Sequence, residues 1–237
     1  MKEMKLYKQP RQALVCTRCG NIIHDVEVEI KVPIQDIDID LLDISVNPKE
    51  FSGICESCSA DENDAISYEL VPDYMAELIA ALYESGFVTE CVHGGIFGLI
   101  MNDNLSLEIF AESPLVTFYA EEDEDTEEPE NDIAEENFKK ICEIINGREF
   151  WSIGQLNEDN EMKASYIIMF DLYEYSANCL AGLNTTYNLD INTVTAEQID
   201  EYTNEAGNVM DFKINEMKKE MMSVGKQISE VITMQGE

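Results

Sequence analysis

The sequence predicts an α+β protein. Antiparallel strands and one helix are expected in the N-terminal half, then a helical region ending in a long heptad-patterned helix. Three observations predict this. Two Cys-x-x-Cys pairs, Cys16-Thr-Arg-Cys19 and Cys55-Glu-Ser-Cys58, flank stretches of alternating hydrophobicity. Short β-type runs separated by turn residues fill 87–119. From Met210 to Val231, apolar residues recur at steps of four and three. A chain of 237 residues with 45% apolar content is long enough to bury one large core or two small ones.

Val26 to Val32 alternates strictly between apolar and charged residues, as a half-buried strand does. Pro33 interrupts it, and a second alternation runs from Ile34 to Asp40. Pro72 to Ser85 reads as a helix with proline at its first turn, Gly86 at its C-terminal cap and an apolar stripe of Met75, Leu78, Ile79 and Leu82. Strands follow at Phe87 to Val92, Ile96 to Met101 and Leu105 to Phe110, with Asn102-Asp103-Asn104 as the turn between the last two. Leu115 to Tyr119 adds a fourth. Eight of the ten residues from Glu121 to Glu130 are acidic, without apolar periodicity, which reads as a disordered linker.

Beyond it, helices are expected over Ile133 to Asn146, over Glu161 to Leu183, and from Thr195, where Thr195-x-x-Gln198 fits a capping box. The expected units are therefore 1–60, 61–120, the acidic segment 121–131 and a helical domain 132–237. The seam of Met210, Ile214, Met217, Met221, Val224 and Ile228 suits either the core stripe of a small bundle or a homodimeric coiled coil.

The chain has seven cysteines, and its first 18 residues lack an apolar stretch of signal-peptide type. Without export, the paired spacing favours metal over disulfides, and a cytoplasmic protein is expected. The short turn between Cys16 and Cys19 lets two sulfurs converge on one ion, and Gly20 frees backbone amides to point at sulfur. Cys55 and Cys58 supply the second pair. Four thiolates close a tetrahedral Zn²⁺ site, which stabilises the fold and leaves no position for a reacting water. Over roughly the first 60 residues the chain resembles zinc ribbons. Many zinc ribbons bind nucleic acid, but the insert here carries Glu27, Glu29, Asp36, Asp38 and Asp40.

Charge is the other strong signal. Forty-nine acidic residues face fifteen lysines and arginines, a net charge of −34. From Cys19 to Phe138 there are 31 acidic residues and only Lys31 and Lys49 as cations, so that segment carries 2 − 31 = −29. Such a surface repels phosphate backbones and is drawn to basic proteins. On a strand, Asp36, Asp38 and Asp40 share one face at a spacing of about 6.6–6.8 Å, a row of charge resembling one phosphate strand. Glu27 and Glu29 add a neighbouring row, and Glu121, Glu122, Asp123, Glu124 and Asp125 extend the acidity.

A second resemblance covers Pro72 to Tyr119. Gly86-Phe87-Val88-Thr89 and Cys91-Val92-His93-Gly94-Gly95 resemble a segment that follows a zinc ribbon in uncharacterised bacteriophage and Gram-positive proteins. It implies a phage or prophage origin, with no known activity.

The expected function is a non-catalytic inhibitor that occupies the basic nucleic-acid groove of a partner, such as a defence nuclease. In a phage setting this would be an anti-CRISPR or anti-restriction-like role in the host cytoplasm. The alternatives are a small nucleotide- or RNA-modifying enzyme using Cys91 and His93, alternate residues on one strand, or a dimeric regulatory scaffold. Gly94, Gly95 and Gly98 lack a following helix, so they read as a bulge rather than a phosphate loop. His24 reads as a surface or packing residue. Cys142 and Cys179 lie in helical patterns and read as buried thiols.

Overall fold

The computed structural model describes residues 12–26, 68–120, 131–156, 165–187, 189–190 and 192–233. The Cys55–Cys58 pair, the acidic residues Glu27, Glu29, Asp36, Asp38 and Asp40, and the segment 121–130 lie outside the described residues.

Strand β1 (Gln12–Cys16) sits between β2 (Ile22–Val26) and β3 (Tyr68–Pro72), antiparallel to both. Its buried Ala13 and Val15 face the core with Val71 of β3. Pro72 is extended (φ −56°, ψ 130°) and ends β3 opposite Gln12. A 3-10 turn, Asp73–Met75, follows, and α1 runs Ala76–Glu84. The helix thus begins later than its proline suggests, because that proline still belongs to the sheet. The expected stripe is right: Met75, Leu78, Ile79 and Leu82 are all buried. Gly86 follows the helix at φ +82°, a left-handed conformation that favours glycine.

β4 (Phe87–His93) pairs with β7 (Leu115–Ala120), and β5 (Ile96–Met101) pairs with β6 (Leu107–Glu112). Together they form one long antiparallel ribbon bent at a corner, with Gly94-Gly95 on one strand and Ser113-Pro114 on the other. Gly95 has φ +71°, and a Cβ there would lie 2.8 Å from the Glu112 carbonyl oxygen and 2.9 Å from Pro114. The glycines therefore make the corner between two sheets rather than a bulge. The bulge itself lies between Thr89 and Cys91. The turn expected at Asn102–Asn104 extends to Ser106: Asn102 N–H donates to the Ser106 carbonyl (2.9 Å), and Leu105 is left-handed at φ 63°. That delays β6 to Leu107.

The region expected to be wholly helical is not. After α2 (Asn131–Ile145) come β8 (Trp151–Leu156) and β9 (Ser165–Phe170), and β9 pairs with β7. The four-stranded sheet has order β4-β7-β9-β8, so chain from both sides of 121–130 completes it. The proposed separation of a helical domain at 132 fails for that reason. Of the described part of Glu161 to Leu183, Ser165–Phe170 is strand and the helix, α3 (Leu172–Thr186), starts where Asp171 accepts a hydrogen bond from the Glu174 amide at 2.8 Å.

Helix α4 (Ala196–Thr233) has 38 residues and is about 57 Å long at 1.5 Å per residue. It opens with the expected capping box: the Gln198 amide donates to Thr195 Oγ1 (3.2 Å) and the Thr195 amide to Gln198 Oε1 (3.0 Å). The N-terminal half of α4 buries Tyr202 and Ala206 with Leu180 and Leu183 of α3 and Leu107 of β6. The C-terminal half buries Met217, Met221, Val224 and Ile228 against α1 and the main core. The seam of Met210, Ile214, Met217, Met221, Val224 and Ile228 is thus taken up within one chain. Five of the six are buried and Ile214 is partly so. Of the two expectations for that seam, the core stripe is the one seen: its apolar face packs within the same chain.

Candidate metal centre and neighbouring polar sites

The turn between β1 and β2 has the shape of a cysteine knuckle. The Cys16 amide donates to the Asn21 carbonyl (2.9 Å) and the Gly20 amide to the Cys16 carbonyl (3.0 Å), closing the loop over Cys19. Gly20 takes φ +68°. A Cβ there would stand 2.9 Å from the Ala80 carbonyl oxygen, so glycine serves both the left-handed turn and a close approach to α1. Cys16 is buried and Cys19 half-buried, in a small cluster with Leu14 and Tyr68. β3 returns with Tyr68 opposite Cys16, ten residues beyond Cys58. Ten residues reach at most ~36 Å, enough to bring the second pair to the first. Among the described residues no group of three or more His, Cys, Asp and Glu could hold a metal, so a closed site at this turn would need ligands from outside them, where Cys55 and Cys58 lie.

Beside the knuckle lies an open cleft of about 440 Å³, lined by Cys19, Asn21, Glu77, Glu84 and Ser229 among others. Ser229 donates to Glu84, and Lys226 stands 3.5 Å from Glu77. These contacts join the end of α4 to α1. His24, on β2, holds Asp73 at 2.8 Å with its side chain 44% exposed, a surface pair as expected.

Sequence reasoning missed a polar cluster behind this sheet. Glu69 of β3 accepts hydrogen bonds from Tyr83 Oη (2.8 Å) and Thr89 Oγ1 (2.5 Å), and those two hydroxyls lie 2.7 Å apart. Burial pushes the Glu69 carboxyl above its usual range, and these hydrogen bonds only partly offset it. Burial, then the nearby Glu69 charge, pushes the Tyr83 phenol up as well. The available signal was the short apolar run Tyr68-Glu-Leu-Val71, whose one carboxylate must be satisfied internally if the run is a strand.

The bulge after Thr89 decides where Cys91 and His93 point. Thr89 opposes buried Phe118, and Val92 opposes buried Val116, so Cys91 and His93 fall on the opposite, outer face. Cys91 is exposed. His93 Nδ1 accepts from the Gly95 amide at 3.2 Å, and its Nε2 faces Glu112 at 3.5 Å. The imidazole is thus engaged at both nitrogens by groups other than the thiol. Cys142 and Cys179 sit half-buried in α2 and α3; burial pushes the Cys142 thiol up, and Cys179 Sγ donates to the Tyr175 carbonyl at 3.6 Å.

Among the described residues, five of the eight lysines and arginines stand beside carboxylates. Lys139, Lys140 and Lys213 pair with Glu135, Glu136 and Glu216 at 2.7, 2.9 and 2.7 Å. Arg148 stands 3.4 Å from Glu220, which also accepts from Trp151 Nε1 at 2.9 Å. From Tyr68 to Ala120 there are eight carboxylates and no lysine or arginine.

Comparison with protein-family models, with curated proteins and with solved structures finds no match in any of the three. Among the described residues, no helix is long and apolar enough to cross a membrane.

Proposed function

We propose that this protein is an acidic, zinc-stabilised inhibitor that occupies the basic nucleic-acid groove of a partner protein. A single Zn²⁺ held by Cys16, Cys19, Cys55 and Cys58 stabilises its N-terminal part. The observation that carries the reading is the distribution of charge: −29 between Cys19 and Phe138, on a chain of net −34. The pairing of Lys139, Lys140, Arg148, Lys213 and Lys226 with carboxylates supports it, because these cations do not form a free basic patch that could hold nucleic acid. Negative charge in excess of that pairing steers the chain to positive grooves, where carboxylates replace phosphates by competition. Asp36, Asp38 and Asp40, with Glu27, Glu29 and Glu121 to Asp125, are the phosphate stand-ins. The phage counter-defence setting rests on the resemblance at Gly86 to Gly95.

The test is affinity capture of the basic partner from nuclease-treated bacterial lysate, repeated with Asp36→Lys, Asp38→Lys and Asp40→Lys combined. Loss of the partner from the triple variant is expected. Capture at unchanged affinity would sink the mimicry. The enzyme reading keeps one favourable observation, the bulge that turns Cys91 and His93 to solvent. Cys91→Ala with His93→Ala should leave capture unchanged if the inhibitor reading is right.

A further inference from the structure

We propose that the edge of β5 away from β6, at Leu99 and Met101, together with the outer face of β5, forms a docking strip for an extended, basic peptide segment of the partner. The basic character of that segment rests on the function proposed above; the strip itself rests on the hydrogen-bond pattern of the ribbon.

In an antiparallel pair, opposed residues alternate between exchanging both backbone bonds and exchanging none. Leu107 aims its backbone away from β5, because its amide bonds Asn184 Oδ1 (3.4 Å) and its carbonyl accepts from Asn184 Nδ2 (3.3 Å). Asn184 of α3 thus caps the outer edge of β6 as a strand would. Leu107 opposes Met101, so Met101 and, two residues back, Leu99 also aim their amides and carbonyls outward, at the edge of β5 away from β6. The bond from Asn102 N–H to the Ser106 carbonyl, one step along the ladder, fits the same alternation. Among the described residues, no strand pairs with that edge.

The strip has two further properties. Folded proteins blunt an open edge with charge, proline or a bulge. β4 does so with its bulge and exposed Glu90, whereas Ile96-Phe-Gly-Leu-Ile-Met101 pairs with β6 in unbroken register without a charge or proline. On the outer face, Ile100 (39% exposed) and Phe110 (50% exposed) stand with Glu108 and Glu112, Phe110 opposite Gly98. An added strand would meet apolar side chains flanked by Glu108, which accepts from Asn102 Nδ2 at 2.8 Å, and Glu112, which faces His93 at 3.5 Å, in a stretch from Tyr68 to Ala120 that has no lysine or arginine. Valine- or leucine-type residues alternating with lysine or arginine match that surface. A second copy of this chain would bring another −34 to the same edge, so charge selects against it.

The test uses the full chain and a fluorescent peptide of about eight residues alternating lysine and valine. One control replaces each lysine with glutamate. Another is N-methylated on two adjacent central residues, so that both edges of its strand lose a donor. The basic peptide should bind, the acidic one should not, and methylation should weaken binding about tenfold, ~1.4 kcal/mol. Leu99→Pro removes one outward amide without touching the β5–β6 ladder. Ile100→Lys with Phe110→Lys changes only exposed positions, and guards against a proline variant that fails to fold. The lysine pair should weaken the peptide at least as much as methylation.

Equal binding of methylated and parent peptides, or unchanged binding by the lysine pair, overturns the proposal. So does a dimer in sedimentation that the lysine pair dissolves, which would make the occupant a second copy. Capture of the nucleic-acid-handling partner is read separately. If the lysine pair captures it as well as the native chain does, the strip is not the docking site, although the inhibitor reading stands. If the peptide binds at β5 but no basic nucleic-acid-handling protein is captured, the inhibitor reading fails while the strip remains.

Discussion

Gly225 is where α4 and α1 touch backbone to backbone, and Gly225→Ala tests whether α4 folds onto its own chain. A Cβ at Gly225 would lie 2.3 Å from the Glu77 carbonyl carbon, 2.4 Å from the Leu78 amide nitrogen and 2.6 Å from the Glu77 carbonyl oxygen. All three atoms belong to the backbone of α1, so no side chain can rotate away and the helices must separate. Overpacking of this kind costs up to ~3 kcal/mol, and the gain in helix propensity from glycine to alanine returns ~1 kcal/mol. The expected net loss is ~2 kcal/mol, or about 4–8 °C in Tm for a chain of this size. Gly182 in α3 is the control, because a Cβ there meets nothing within 4 Å. Gly182→Ala should raise stability by up to ~1 kcal/mol. Thermal unfolding followed by circular dichroism at 222 nm reads both. In a coiled-coil dimer Gly225 would flank the seam, and alanine would stabilise it. A Tm for Gly225→Ala at or above that of the native chain would refute the packing of α4 on α1.

Three further outcomes are expected. The purified chain should carry about one zinc, read by atomic emission, and chelation or Cys16→Ser should lower Tm and remove it. Zinc retained by Cys16→Ser would exclude the knuckle. Burial raises the Glu69 carboxyl from its usual 4.5, so the folded chain holds that proton more tightly than the unfolded one. Its contribution to stability is present below about pH 4.5 and is lost as pH rises through the folded value, at no more than ~1.4 kcal/mol per pH unit. Glu69→Gln should therefore raise Tm at neutral pH and flatten this part of the pH profile, and a lowered neutral Tm would contradict it. Thr195→Ala removes the reciprocal cap of α4 and should cost ~1 kcal/mol, seen as a fall of about 2–4 °C in Tm.

Local rules were legible where one residue type decides the backbone. The bounds of β5, the Thr195–Gln198 cap and the buried stripe of α1 follow from periodicity and capping chemistry alone. Ser165 to Phe170 is a strand where the sequence predicts helix, because a continuous apolar run has the same appearance in a buried strand and a buried helix. Its aromatic and β-branched residues, and the Asp171 cap after it, were the discriminating signals. The Met210–Ile228 seam was ambiguous for a similar reason: heptad spacing records that a helix face is buried, not whose side chains bury it. At the candidate site, the tight turn over Cys16–Gly20 was readable because glycine spacing dictates its backbone, with Gly20 at φ +68°. Glu69, the Thr89 bulge and the outward-facing edge of β5 were not, since each depends on which strand lies next to which.

The most direct test of the inhibitor account is a competition at equilibrium. The captured partner is loaded with a labelled nucleic acid that it binds, the acidic chain is titrated in, and nucleic-acid release is followed by anisotropy at low and high salt. The account predicts displacement one for one, weakening as salt rises because both ligands use the same positive groove. A stable ternary complex, with nucleic acid and this chain bound together, would contradict it.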